Sequence, residues 1–453
     1  MNGYPYASVL AIVLLVVWPA GSYAGEPLVD AVMRPRSSDS TEQCGGENCA
    51  AVVRGLIAFV DRRPTGLGGN GRACVDCHLA TDSLQLSPAS AKARYRQLQW
   101  LRVFNPRAQD PLFHPIDADD FRINGSKATD FSNLIDNGLV RVTVPLPPNI
   151  RLVDPATNAA SSETVADVWR MVPSVNDVRL TGSDGANPQW PRGPNVTGGY
   201  QLDARKADLQ QQALGAFESH AQIVNPPSQR LLDDLAAFQS VLFSSPRARA
   251  LADAVRVGQL PLPDVDPPMS ALAQQGKVVF KRACAQCHGG PGQSTTQAPL
   301  PLRFHDINSQ CPRPVDTVVP ARFTFAACPP RLARNARTYE ITQANGTVVR
   351  RTSSDPGRAL LTGFVGGPPP ADDWNKLDVN GLRGIARTAP YFHNNSADTL
   401  EQVVEHYIAF FKRAQVTAPP GVVPPFATTD GVHFDRQPVP EETAALVAYL
   451  KVL

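Results

Sequence analysis

Cys74-Val75-Asp76-Cys77-His78 and Cys284-Ala285-Gln286-Cys287-His288 repeat one pattern: two thiols separated by two residues, with a histidine directly after the second. Such a thiol pair can form thioether bonds to the vinyl groups of a haem, and the adjoining imidazole then lies under the iron as an axial donor. A thioredoxin-like redox motif needs no histidine at that place, and the two copies stand too far apart for an ordinary zinc ribbon. The spacing therefore predicts two covalent haem c groups, one on Cys74, Cys77 and His78 and one on Cys284, Cys287 and His288, with His78 and His288 as iron ligands.

Haem c is attached outside the bacterial cytoplasm, which calls for an export signal and a periplasmic protein. Residues 9–17 form an apolar run of suitable length, and Ser22-Tyr23-Ala24 offers small residues for cleavage, so residues 1–24 read as a signal peptide. Residues 1–8 contain no Lys or Arg, which keeps an uncleaved N-terminal anchor as the competing reading, although the run is short for a membrane span. Four of the eight cysteines remain, Cys44, Cys49, Cys311 and Cys328. Proximity pairs Cys44 with Cys49 and Cys311 with Cys328, one of three connectivities that four cysteines allow. A formal net charge of +2 over 453 residues gives no sign of a nucleic acid or an anionic membrane as partner. Proline, at 43 residues, predicts long ordered loops between helices.

The motifs divide the chain into halves of similar plan, each with a helix, the motif, a long irregular stretch and a closing amphipathic helix. The expected fold is mainly α, with two c-type cytochrome domains over residues 25–260 and 261–453 joined by long irregular loops. Residues 50–60 and a helix capped by Ser270 lead into the motifs, and residues 229–243 and 441–453 close the halves. The glycine-rich residues 66–71 lack a preceding strand and a phosphate-binding Lys, so they read as a flexible approach to the first motif. Residues 260–268 read as a linker, residues 140–144 as a strand, and residues 338–352 as a hairpin around Asn345-Gly346.

Leu382-Arg383-Gly384-Ile385-Ala386-Arg387-Thr388-Ala389-Pro390-Tyr391-Phe392-His393, followed by Thr399-Leu400-Glu401-Gln402-Val403-Val404, resembles the signature of bacterial di-haem cytochrome c peroxidases and their relative MauG. Ser354-Asp355-Pro356-Gly357-Arg358 and Val172-Pro173-Ser174-Val175 extend the likeness. The resemblance implies that the first haem reacts with hydrogen peroxide while the second takes electrons from a small cytochrome c or cupredoxin. It puts the distal ligand of the second haem at Tyr407, where ordinary peroxidases have methionine and MauG has tyrosine. Independently, Leu400, Val403, Val404, Tyr407, Ile408 and Phe411 form one apolar stripe on a helix that Asp398 can cap. His406 projects off that stripe.

The family's distal Gln and Glu fall near Gln212 and Gln222, and an amide cannot move a proton, so His220 and then Glu218 are the acid–base candidates. Leu202 stands where the family has a tryptophan that couples the haems, leaving Trp100, Trp169 or Trp190 to replace it. The resemblance leaves room for calcium, with Thr388 and Pro390 matching but Met171 in place of an asparagine. His114, in the long insert 79–170, is a candidate sixth ligand of the first haem, and His393 a candidate partner of a haem propionate. Peroxide reduction is the leading expectation. The alternatives are MauG-like oxidation of a protein or organic substrate, and plain electron transfer.

Overall fold

The computed structural model describes residues 43–181, 199–259, 261–285, 287–292, 304–315, 317, 319–366, 372–417 and 440–453. The expected signal peptide, Trp190 and the first residue of the expected linker lie outside them. The longer helices are α1 (Cys49–Val60), α2 (Pro88–Phe104), α3 (Leu209–Ala216), α4 (Gln229–Ser240), α5 (Pro246–Arg256), α6 (Ala271–Ala283), α7 (Leu400–Thr417) and α8 (Thr443–Leu450). Asn48, Ser87, Asp208, Ser228, Ser245 and Ser270 cap α1 to α6, each accepting from the amide three residues on. Each such cap is worth about 1 kcal/mol. The cap of α7 falls one residue later than expected, on Thr399, whose hydroxyl accepts from the Gln402 amide.

Each half is built on one pair of crossed helices, α1 with α4 and α6 with α8, and the two pairs repeat the same contact. Gly55 lets α1 approach so closely that a Cβ there would lie 1.9 Å from the Asp234 carbonyl oxygen on α4. A Cβ on Gly276 of α6 would lie 1.8 Å from the Ala445 carbonyl oxygen on α8. Four residues beyond each of these positions stands an aromatic ring. Phe59 meets Phe238 at 5.2 Å and 60°, and Phe280 meets Tyr449 at 5.2 Å and 59°. Residues four apart lie on one helix face, so a glycine and a ring together fix both the approach and the register.

Strand β1 (Leu139–Pro145) pairs antiparallel with β3 (Val165–Met171). Between them, β2 (Ile150–Leu152) leaves the first half and joins the edge of the hairpin formed by β4 (Arg337–Thr342) and β5 (Val348–Ser353), pairing Ile150 with Ile341. The sheet thus crosses the expected division of the chain. A buried ion cluster crosses it as well: Arg170 binds Asp203 at 2.6 Å and Asp355 at 2.7 Å and 3.0 Å, all three almost wholly enclosed. The Met171 amide donates to the His393 carbonyl and the Asp378 amide to the Leu202 carbonyl.

Both disulfides join the expected partners, Cys44 to Cys49 and Cys311 to Cys328. Helix α4 stops at Ser240, three residues short of its expected end, and α5, absent from the sequence reading, precedes the linker. Leu251, Ala252 and Val255 of α5 form a small core with Leu262 and Val265 of that linker.

Candidate functional site

Each motif folds as one tight turn. The His78 amide donates to the Cys74 carbonyl at 2.9 Å, and the His288 amide to the Cys284 carbonyl at 2.8 Å. Both thiols and the histidine thereby face one cavity in each half. These four cysteines are the ones not in disulfides. Burial pushes Cys74 and Cys284 up to about 12, and Cys77 and Cys287 up to about 11. Thiols that burial holds neutral are poor thiolate nucleophiles.

The cavity at the second motif measures about 310 Å³ and is walled mainly by apolar groups. Helix α7 supplies the wall opposite the motif. Its stripe turns inward as expected, with Leu400, Val403, Val404 and Ile408 buried and Tyr407 and Phe411 lining the cavity. The Tyr407 and His288 rings face each other across it, 6.4 Å between centroids and nearly perpendicular. Burial raises the pKa of the Tyr407 phenol above its ordinary value, with Cys287 and Cys284 adding to the effect. His406 turns away: its Nε2 lies 2.7 Å from the Ile307 carbonyl, its ring packs on Phe325 and Phe392, and burial pushes it down to about 3. His393 lines the cavity, with Nδ1 3.2 Å from the Ser309 hydroxyl and Nε2 buried without a hydrogen-bond partner.

The cavity at the first motif is smaller, about 70 Å³. His78 Nδ1 lies 3.0 Å from the Leu84 carbonyl, which orients the ring. Opposite stand Gln212, Gln239 and His220. His220 sits in a wide π-type turn, Phe217–Ala221, that follows α3. Such turns break the regular helical face and re-aim a side chain. The glycine-rich run braces this turn instead of hanging loose: Asn70 donates its side-chain amide to the His220 carbonyl at 2.8 Å and its backbone amide to the Ala221 carbonyl at 2.9 Å. Burial holds His220 below the usual imidazole value, against the pull of Asp117.

Several expected residues stand elsewhere. Glu218 is exposed and does not line the cavity, because the π-type turn points it to solvent. Gln222 is exposed too. His114 accepts from the Ile116 amide at the head of a short turn, 3.4 Å away, and lies outside the cavity. Trp100 is exposed, while Trp169 packs with Leu332 beside the Cys311–Cys328 disulfide. No group of three or more His, Cys, Asp or Glu able to hold a metal occurs among the described residues.

Sequence reading missed Arg72 and Gln239. Arg72 lines the first cavity, its buried guanidinium paired with Asp117 at 2.5 Å and donating to the Pro111 and Leu112 carbonyls at 2.9 Å each. The insert around residues 110–117 is thus tied to the cavity wall through Arg72. A lone arginine two residues ahead of a motif carries no signal, since its partner lies 45 residues away.

No family model and no curated protein matches the chain. Among solved structures, a MauG-like protein associated with microbial copper homeostasis is 18% identical, with a TM-score of 0.40 over 93% of this chain and 91% of that one. The diheme peroxidase BthA from Burkholderia thailandensis E264 is 16% identical, with a TM-score of 0.40 over 92% of this chain and 89% of that one. Hydrazine synthase of Kuenenia stuttgartiensis is 13% identical, with a TM-score of 0.35 over 94% of this chain and 92% of that one.

Proposed function

We propose that the chain is a periplasmic di-haem c-type oxidoreductase that reduces hydrogen peroxide with electrons from a small cytochrome or cupredoxin. The observation that carries this reading is the pairing of four half-buried thiols, none in a disulfide, with two histidines on the walls of two separate cavities. The donor set at both suits a thioether-linked haem, and the larger cavity has the size and apolar lining of a cofactor site. The smaller one carries the same donor set of two thiols and a histidine.

Cys74, Cys77 and His78 would hold one haem and Cys284, Cys287 and His288 the other. Bound there, the haems supply the redox chemistry. The chain's own part at the first site is proton transfer. His220, neutral through burial, accepts a proton from peroxide and returns it to the leaving oxygen, while the Arg72–Asp117 pair and the Asn70 bond hold its turn in place. At the second site the Tyr407 phenol, across the cavity from His288, would help to hold the haem, and binding through its oxygen would require loss of its proton. Turnover with peroxide and a reduced small cytochrome tests the reading, and its absence in a protein carrying two haems would overturn it.

Tyr407 opposite His288 favours a second reading. An anionic oxygen donor stabilises oxidised iron, which suits MauG-like oxidation of a protein or organic substrate. Oxidation of an added organic reductant faster than of the reduced cytochrome would favour it.

A further inference from the structure

Helix α2 buries one face and leaves the opposite one bare. Ala91 and Leu98 are enclosed in a core with Leu112, Phe131 and Leu134. On the outward face Trp100 is 61% exposed, Val103 75% and Phe104 73%, with the Trp100 and Phe104 rings in edge contact at 5.1 Å. At 100° per residue, Lys92 and Arg96 fall on the same outward face, two turns and one turn before Trp100. Residues 88–109 hold five basic side chains, Lys92, Arg94, Arg96, Arg102 and Arg107, and no acidic one. Arg94 is spent on Asp76 and Asp110. Lys92, Arg96, Arg102 and Arg107 remain exposed, with Lys92 4.0 Å from the equally exposed Asp136 and Arg102 donating to the Ala108 carbonyl.

We propose that this face is a docking surface for an anionic phospholipid bilayer, with Trp100, Val103 and Phe104 entering the headgroup boundary and Lys92, Arg96 and Arg107 held by lipid phosphates. Exposed aromatic and aliphatic side chains beside cations on one helix face are what an interfacial helix requires. Apolar insertion and charge attraction then act on the same side of the molecule. A second copy of this chain would bring Lys92 and Arg96 against their like. An acidic redox protein would match the charge but leave three protruding apolar groups without a purpose. The net charge of +2 hid this feature, because the cations are concentrated in one segment. Arg94 joins α2 to the Asp76 carbonyl within the first motif, so docking would hold the first cavity close to the membrane.

The test is cosedimentation of the mature, haem-loaded protein with vesicles of phosphatidylglycerol and phosphatidylethanolamine, against vesicles of phosphatidylcholine alone. Binding is expected to the anionic vesicles only and to weaken with salt. Trp100→Ser with Phe104→Ser should weaken it at least roughly tenfold, and Arg96→Gln about fivefold. All three positions are exposed, and an unchanged circular dichroism spectrum checks that the variants fold. Equal binding to both kinds of vesicle, or undiminished binding by the double variant, as an uncleaved N-terminal anchor would give, would overturn the proposal. So would a double variant that loses only self-association, or only its reaction with an acidic electron donor, while binding vesicles as before.

Discussion

The two motif cavities share a floor and differ in their walls. Below each lies the same crossed helix pair, with Gly55 and Phe59 against Asp234 and Phe238 in one half and Gly276 and Phe280 against Ala445 and Tyr449 in the other. Above, the first half closes its cavity with a polar π-type turn and a buried ion pair, His220 with Arg72 and Asp117 nearby. The second closes its larger cavity with the aromatic stripe of α7, led by Tyr407. The repeated elements fix how a cofactor would be attached, and the unrepeated ones fix what it could do. Under the proposed function, a proton-moving group on one side and an oxygen donor on the other would be a division of labour, not a duplication.

The largest effects should separate the halves cleanly. Cys287→Ala should abolish stable attachment at the second site and leave the first intact, and Cys77→Ala should do the reverse. Intact mass spectrometry should then find one haem in each variant and two in the parent, and two in either variant would break the assignment of one cofactor per half.

Next in size is the first cavity's proton carrier. His220→Ala should slow the peroxide reaction by about a hundredfold to ten-thousandfold, whereas Glu218→Gln, at an exposed position, should leave it unchanged. Only neutral imidazole accepts a proton. Because burial lowers the pKa of His220, the parent rate should hold as pH falls past the ordinary histidine value of about 6.5 and drop only below it. A stopped-flow pH profile with its inflection above that value, or one that survives in His220→Ala, would place the carrier elsewhere.

What joins the halves should matter more to stability than to chemistry. Asp355→Asn leaves Arg170 facing one carboxylate in a buried site, and breaking such a buried pair costs about 3–5 kcal/mol. Denaturant unfolding should show that loss without uncoupling the halves, since the sheet pairing of Ile150 with Ile341 remains. The smallest effect tests the shared floor. Gly55→Ala and Gly276→Ala should each cost about 1–3 kcal/mol by overpacking, and by similar amounts, because each Cβ meets backbone on the facing helix. A marked inequality would mean that the two helix pairs are not equivalent.

Most of the floor was legible in the sequence and little of the walls. Covalent motifs, cysteine pairs, capped helices and the Asn345-Gly346 hairpin are local patterns, and local patterns survive folding. The stripe that turns Tyr407 inward is equally local, being set by helical periodicity. The glycine–aromatic contact was also readable, since the same four-residue step occurs at Gly55 and Gly276 and at their partners, but only a paired reading of both halves reveals it. Arg72 with Asp117, the strand that crosses between halves and the exposed side of Glu218 all depend on contacts or turns with no local signature. The π-type turn after α3, which separates His220 in the cavity wall from exposed Glu218, likewise has no local signature.

Electron paramagnetic resonance of the mature ferric protein and of Tyr407→Phe tests the contrast between the two walls most directly. The account predicts two distinct ferric signals, with Tyr407→Phe changing only the one assigned to the haem on Cys284, Cys287 and His288. Two equivalent signals, or a spectrum untouched by Tyr407→Phe, would contradict it.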